Sequence, residues 1–106
     1  MTEKEVMYRQ EQNGQREFYL TLVDSKIYAY GYGAFALSRL TGHRVRRQQH
    51  TELGQLHMVW ILAVHLDSLR VKMFLAGIHL ESVDDETWCF RLPMFDTIIY
   101  NKKLDI

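Results

Sequence analysis

Residues 62–83, LAVHLDSLRVKMFLAGIHLESV, decide the fold class of this chain. Apolar residues in the first part recur at spacings of three and four, which places them in one stripe along a helix: Leu62, Leu66, Leu69, Met73 and Ala76. Gly77 predicts the end of that helix, because glycine adopts a positive φ without a Cβ penalty. Ile78, Leu80 and Ser82 then alternate with polar residues, as in a half-buried strand. A helix with one apolar face is therefore followed directly by a strand against which it can pack.

The composition predicts one domain over residues 1–106. The chain is 47% hydrophobic, which is enough to bury a core, and its 13 basic residues balance 13 acidic ones. A lone cysteine, Cys89, excludes an internal disulfide and is typical of a reducing compartment. No apolar run approaches the roughly 20 residues of a membrane helix, and no secretory signal opens the sequence. We therefore expect a cytoplasmic protein that has no membrane partner.

The rest of the chain supplies further helices and strands. Thr2 and Glu5 have the spacing of a capping box, which predicts a helix that ends near Gln12. The apolar and β-branched patterns favour strands at 18–23, 27–30, 55–61, 87–92 and 95–100, a second helix at 31–41 and a loop at 48–54. This order predicts an α/β fold, a single small domain with a mixed β-sheet flanked by helices.

The patterns that point to chemistry are weak. Gly31 and Gly33 match a loose dinucleotide-loop pattern, but a hairpin arm precedes them, so a plain helix start is favoured. The five histidines lack zinc-site spacing, and Cys89 between two aromatic residues is typical of a core residue. Nothing brings a nucleophile, a base and an orienting group together. The sequence predicts a non-catalytic protein without cofactor or metal.

A basic interval is more informative. No acidic residue occurs between Ser25 and Thr51, whereas five basic residues do: Lys26, Arg39, Arg44, Arg46 and Arg47. Such side chains neutralise phosphates, and the neighbouring tyrosines Tyr28, Tyr30 and Tyr32 offer rings for stacking on bases. The alternative is a solvated basic face that balances acidic residues elsewhere.

These features, in their order and spacing, resemble the N-terminal mismatch-recognition domain (domain I) of the MutS family. The likeness covers about residues 2–85 and leaves residues 86–106 as a C-terminal extension. It is carried by the strand at 18–23, Tyr30-Gly31, Ala34, Ser38, Gly42, Arg46-Arg47, Asp67, Lys72, Ala76-Gly77 and Asp84. The resemblance implies the MutS domain I fold and double-stranded DNA as the partner.

The departures from the family bear on function. The phenylalanine and glutamate with which MutS proteins read a mismatch are replaced here by Lys26 and Tyr28. No Walker loop is present, so the family's ATPase is not expected. We predict DNA contact through Lys26, Tyr28, Arg44, Arg46 and Arg47. The alternative is a scaffold that has lost DNA contact and serves as a protein-interaction or dimerisation module, which the neutral charge and the apolar residues 95–100 favour.

Overall fold

The computed structural model describes residues 1–50 and 54–92, in which a six-stranded sheet carries helices on both faces. The elements are α1 (Glu3–Asn13), β1 (Phe18–Val23), β2 (Lys26–Tyr30), α2 (Tyr32–Thr41), β3 (Arg46–His50), β4 (Gly54–Leu62), a 3₁₀ turn (Ala63–His65), α3 (Leu66–Leu75), β5 (Glu81–Asp84) and β6 (Thr87–Phe90). Within the described ranges, no helix has both the length and the apolarity that crossing a membrane requires.

The sheet order is β3-β4-β2-β1-β6-β5, and every neighbouring pair is antiparallel. The α/β class is confirmed, but the prediction of a mixed sheet is wrong. The reason is that both helical connections pass over other strands. α2 leads from β2 to β3 across β4, and α3 leads from β4 to β5 across three strands, so strands that run in the same direction never become neighbours.

The first third of the chain folds as its local sequence predicts. The Thr2 hydroxyl accepts a hydrogen bond from the Glu5 N–H at 3.1 Å, and the Glu5 carboxylate accepts one from the Thr2 N–H at 3.2 Å. This confirms the capping box at the start of α1. β1 and β2 form the expected hairpin, with Asp24 at φ 58° in its turn. A short aspartate side chain tolerates that left-handed conformation better than most.

α2 and α3 pack on one face of the sheet and form the main core with β1, β2, β4 and β6. Leu69 and Met73 of α3 are buried there, and Leu66 is half-buried. Leu62 and Ala76 at the two ends of the predicted stripe are exposed. α3 therefore buries a narrower apolar face than the spacing predicts.

The start of α3 differs from the prediction for a specific reason. Leu62 is the last residue of β4, because it still pairs with Lys26 of β2. The Ala63 N–H then donates a hydrogen bond to the Ser25 carbonyl at 2.8 Å, which holds the chain at the sheet for one more residue. The helix begins only after the 3₁₀ turn, at Leu66.

Two strand predictions also need correction. Residues 48–50 belong to β3 and not to a loop, because β4 pairs with them along its outer edge. The sequence does not predict this strand, because its residues are polar and an edge strand needs no apolar face. The strand expected from Ile78 begins at Glu81, where pairing with β6 starts. The predicted strand at 95–100 lies outside the described residues.

Gln10 connects α1 to the rest of the molecule. Only 2% of it is exposed, and its amide nitrogen donates to the carbonyls of Gly14 and Glu17 at 2.9 and 3.0 Å. Its side-chain oxygen accepts the Tyr19 N–H at 2.9 Å. Gly33 of α2 packs against this oxygen so closely that a Cβ there would lie 2.7 Å away. Packing against Gln10 therefore accounts for the glycine at position 33, the second glycine of the loose dinucleotide-loop pattern.

Candidate nucleic-acid interface

The face of the sheet on which α1 packs, the α1 face, is only partly covered. Side chains alternate between faces along a strand, so the register places Lys26, Tyr28 and Tyr30 of β2 on this face. Tyr30 is buried with Met58 in the same cluster as the inner side of α1, whereas Lys26 and Tyr28 remain partly exposed. The uncovered part lies at the start of β2 and the end of β4.

Trp60 occupies the centre of this uncovered part. It belongs to β4, lies directly opposite Tyr28 in the ladder, and is partly exposed. The Nζ atom of Lys26 lies 4.2 Å from the centre of the Trp60 ring. A cation–π contact of this kind is worth about 0.5–1 kcal/mol at an exposed site. An ammonium group is thus held on an aromatic ring at the surface.

The ring of Tyr28 is positioned by α1 through Tyr30. The two tyrosine rings are stacked, with centroids 6.0 Å apart and an interplanar angle of 3°. The Tyr30 hydroxyl donates to the Glu3 carboxylate at 2.5 Å. Burial, and then this hydrogen bond, raise the pKa of Tyr30, which keeps the hydroxyl protonated as a donor. The stack therefore forms the boundary between the covered and uncovered parts of the α1 face.

Two arginines lie beside Trp60 where the β3–β4 ladder ends, at the pair Arg46–Met58. Beyond that pair, no described strand accompanies the last four residues of β4 on its outer side, and a cleft of about 270 Å³ opens there. The exposed side chains of Arg44 and Arg46 line this cleft, together with His43 and His65. Basic side chains thus meet the edge of the sheet that carries Trp60.

We use the name basic aromatic surface for five residues: Lys26, Tyr28, Arg44, Arg46 and Trp60. Four of the five residues predicted to contact DNA belong to it. The structure does not bring the fifth, Arg47, to the same place. Arg47 lies opposite His57 in the ladder, and the His57 ring contacts Phe35 of α2 at 5.2 Å, on the other face of the sheet.

Trp60 is the member that the sequence did not reveal. Its alternation with Leu56 and Met58 predicts an apolar face of a central strand, and nothing in the sequence shows that β4 pairs with β2. The uncovered position of Trp60 depends on the lengths of the two strands, because β4 has nine residues and β3 only five, and the sequence did not predict β3. A longer strand beside a shorter one leaves part of its edge and face uncovered.

In the part of the chain that the structure describes, the other residues considered for chemistry do not form a reactive or metal-binding site. Burial, and then the neighbouring Glu17 carboxylate, raise the pKa of the Cys89 thiol to about 12, so it is a protonated core residue at neutral pH. Across residues 1–50 and 54–92, no three His, Cys, Asp or Glu side chains converge in a way that would hold a metal ion.

Comparison of the chain with protein-family models, with curated proteins and with solved structures finds no match.

Proposed function

We propose that this chain is a non-catalytic DNA-binding domain and that it contacts DNA through the basic aromatic surface. The observation that carries the proposal is the clustering of Lys26, Arg44 and Arg46 around Trp60, a partly exposed ring that lies opposite Tyr28 in the ladder. Cationic side chains neutralise phosphates and aromatic rings stack on bases, and these are the two general contacts of nucleic-acid binding. The resemblance of residues 2–85 to MutS domain I supports DNA as the ligand.

The two interaction energies favour replacement of the Lys26 ammonium group by a base on the Trp60 ring. The contact of Lys26 with the Trp60 ring is worth about 0.5–1 kcal/mol, whereas a base stacked on an aromatic ring is worth about 1–3 kcal/mol. A base would therefore displace the ammonium group from the ring and free it to neutralise a phosphate. Lys26 and Trp60 therefore contact each other in the free protein, and they contact a phosphate and a base, respectively, in the complex.

Reading of a mismatch in the manner of MutS is not part of this proposal. In that mechanism an apolar wedge enters the base stack and kinks the duplex. The positions of the wedge and its partner carry Lys26 and Tyr28, and both side chains lie on the sheet face and not on a protruding loop.

The salt dependence of binding tests the surface. With three phosphate contacts, from Lys26, Arg44 and Arg46, the plot of log affinity against log salt concentration should have a slope of about −2 to −3. Arg46→Ala should weaken binding and make the slope less negative by about 1. Arg47→Ala removes the same charge from the next residue of β3 but on the other face, so it should change neither quantity.

Fluorescence anisotropy with a labelled oligonucleotide, titrated at four or more salt concentrations, measures both quantities. If the two arginine variants weaken binding equally, the assignment to the α1 face is wrong. If the wild-type chain does not bind at low salt, the DNA-binding proposal itself fails.

A second candidate function, self-association, is favoured by the outer face of α3. Four apolar side chains are exposed there and in the preceding turn: Val64, Val71, Phe74 and Leu75, of which Leu75 is 81% exposed. Val64 of the 3₁₀ turn and Ser68, Val71 and Leu75 of α3 follow one another at spacings of four, three and four, a pattern that is the same from either end. Two copies packed antiparallel about a two-fold axis would place each Val64 on Leu75 of the second copy, which is the self-complementarity an isologous dimer needs.

Sedimentation equilibrium distinguishes this candidate. For a dimer formed through α3, we expect the apparent mass to double with rising concentration, and Val71→Glu, which places a charge in the centre of the stripe, should keep the chain monomeric. Tyr8→Glu, an equally exposed change on α1, is the control and should not alter the mass. A monomer mass up to about 1 mM would reject the dimer.

A further inference from the structure

The two aromatic rings of the basic aromatic surface are partly buried on the sheet. Tyr28 and Trp60 are cross-strand neighbours in the β2–β4 ladder, and both are only partly exposed. The Gly31 N–H donates to the His57 carbonyl and the Ala63 N–H donates to the Ser25 carbonyl, which marks hydrogen-bonded pairs three residues from Tyr28 on either side. Hydrogen-bonded and non-hydrogen-bonded pairs alternate along an antiparallel ladder. Tyr28 and Trp60 therefore form a non-hydrogen-bonded pair, the kind whose side chains are closest.

Rings in this position can stack only on bases that move out of their own stack and onto the sheet. In an intact duplex each base is covered on both faces by its neighbours, so a ring reaches a base face only by insertion into the stack. Insertion requires a side chain that projects beyond the surrounding surface. Tyr28 is stacked on Tyr30, the Lys26 Nζ atom lies over the Trp60 ring 4.2 Å from its centre, and both aromatic residues are only partly exposed, so neither ring is free to enter a base stack.

A single strand meets this surface without such a barrier, because its bases can rotate out and its backbone can follow the edge of the sheet. The positions of the aromatic rings and the arginines fit a single strand that follows this edge. The rings lie on β2 and β4, and the arginines lie next to them at the outer edge of β4, in the cleft that borders Trp60. A strand laid along the end of β4 would place its bases over the rings and its phosphates beside the arginines.

We infer that the ligand of the basic aromatic surface is single-stranded DNA, whose unpaired bases stack on Tyr28 and Trp60 while Lys26, Arg44 and Arg46 neutralise the phosphates. This inference rests on the proposed function and narrows its ligand from DNA in general to unpaired strands. It departs from the double-stranded partner that the resemblance implies.

The test compares a single-stranded deoxythymidine oligomer of about 10 nucleotides with a blunt mixed-sequence duplex of about 20 base pairs at the same salt concentration. We expect the single strand to bind at least tenfold more tightly. Tyr28→Leu and Trp60→Leu keep an apolar side chain on the sheet but remove the ring, and each should lower single-strand affinity about tenfold. Each should lower duplex affinity by much less than it lowers single-strand affinity, because the rings do not stack on paired bases. Tyr8→Leu, a change of an exposed tyrosine on α1, should change neither affinity.

Tryptophan fluorescence provides a readout that a loss of folding would not imitate. The chain has two tryptophans, and Trp88 is buried on the α2 and α3 side of the sheet. In a Trp88→Phe variant the emission reports Trp60 alone, and stacking of a thymine base should quench it in proportion to bound single strand. The duplex should leave the emission unchanged.

The outcomes distinguish the single-strand inference from the DNA-binding proposal. Equal or tighter binding of the duplex would overturn the single-strand inference and leave DNA binding standing. Single-strand binding that survives both ring substitutions, in variants with the wild-type unfolding midpoint, would also overturn it. Absence of binding to either oligonucleotide at low salt would reject the proposed function together with the inference.

Discussion

Replacement of Gln10 by leucine is expected to lower the free energy of unfolding by about 3–5 kcal/mol. Leucine has a similar size, so the loss is polar and not steric. It leaves the carbonyls of Gly14 and Glu17 and the N–H of Tyr19 without the partner that now satisfies all three. An unsatisfied buried backbone group costs about 1–3 kcal/mol, and the two carbonyls are only partly buried, which places the sum in the lower half of the range.

Such a loss is a large part of the 5–15 kcal/mol that a domain of this size has in total, and it should lower Tm by about 12 °C or more. Urea denaturation followed by circular dichroism measures it. Gln12→Leu makes the same chemical change at an exposed position of α1 and should stay within about 0.5 kcal/mol of wild type. Equal midpoints for the two variants would show that the Gln10 hydrogen bonds contribute little.

The second large effect concerns the reactivity of Cys89. At pH 8 the native thiol should react with iodoacetamide roughly 10³-fold more slowly than the unfolded chain. The thiolate is the reactive form, and burial, followed by the Glu17 carboxylate, raises the thiol pKa to about 12 from an ordinary value near 8.5. The side chain is also only 7% exposed, which slows the approach of the reagent further.

Mass spectrometry of timed samples, with and without guanidinium chloride, gives the ratio of rates. Because the native thiol titrates far above pH 8, its rate should rise about tenfold for each pH unit between pH 7 and 10, as long as the chain stays folded. A native rate equal to that of the unfolded chain would mean that Cys89 is an accessible thiolate, and its interpretation as a core residue would then fail.

Local chemistry made the first half of the fold predictable. The capping box at Thr2, the turn at Asp24 and the glycine after α2 each determine a short segment through contacts within a few residues. The order of strands depends on contacts between distant segments instead. The two crossovers that make the sheet fully antiparallel have no local signature, because α2 and α3 would look the same in a parallel arrangement.

The charges of the candidate site and the Tyr28 ring were predictable from the sequence, whereas Trp60 and the assignment of residues to the two faces were not. The acid-free interval identified Lys26, Arg44 and Arg46 as a group, since a run of one charge sign is visible in any sequence. The separation of Arg46 from Arg47 follows from the alternation of β3, a strand too polar to be recognised. The role proposed for Trp60 follows from its pairing with Tyr28, which only the assembled sheet defines.

The bond between Tyr30 and Glu3 at the start of α1 has a consequence for stoichiometry. It fixes the helix over part of the sheet face and leaves Tyr28 and Trp60 partly exposed beside it, so under the proposed function each molecule would occupy only a few nucleotides. A long polynucleotide then offers many overlapping registers, and copies of the protein would coat it at high density. Apparent affinity should therefore grow with strand length, while the number of nucleotides covered per molecule stays constant.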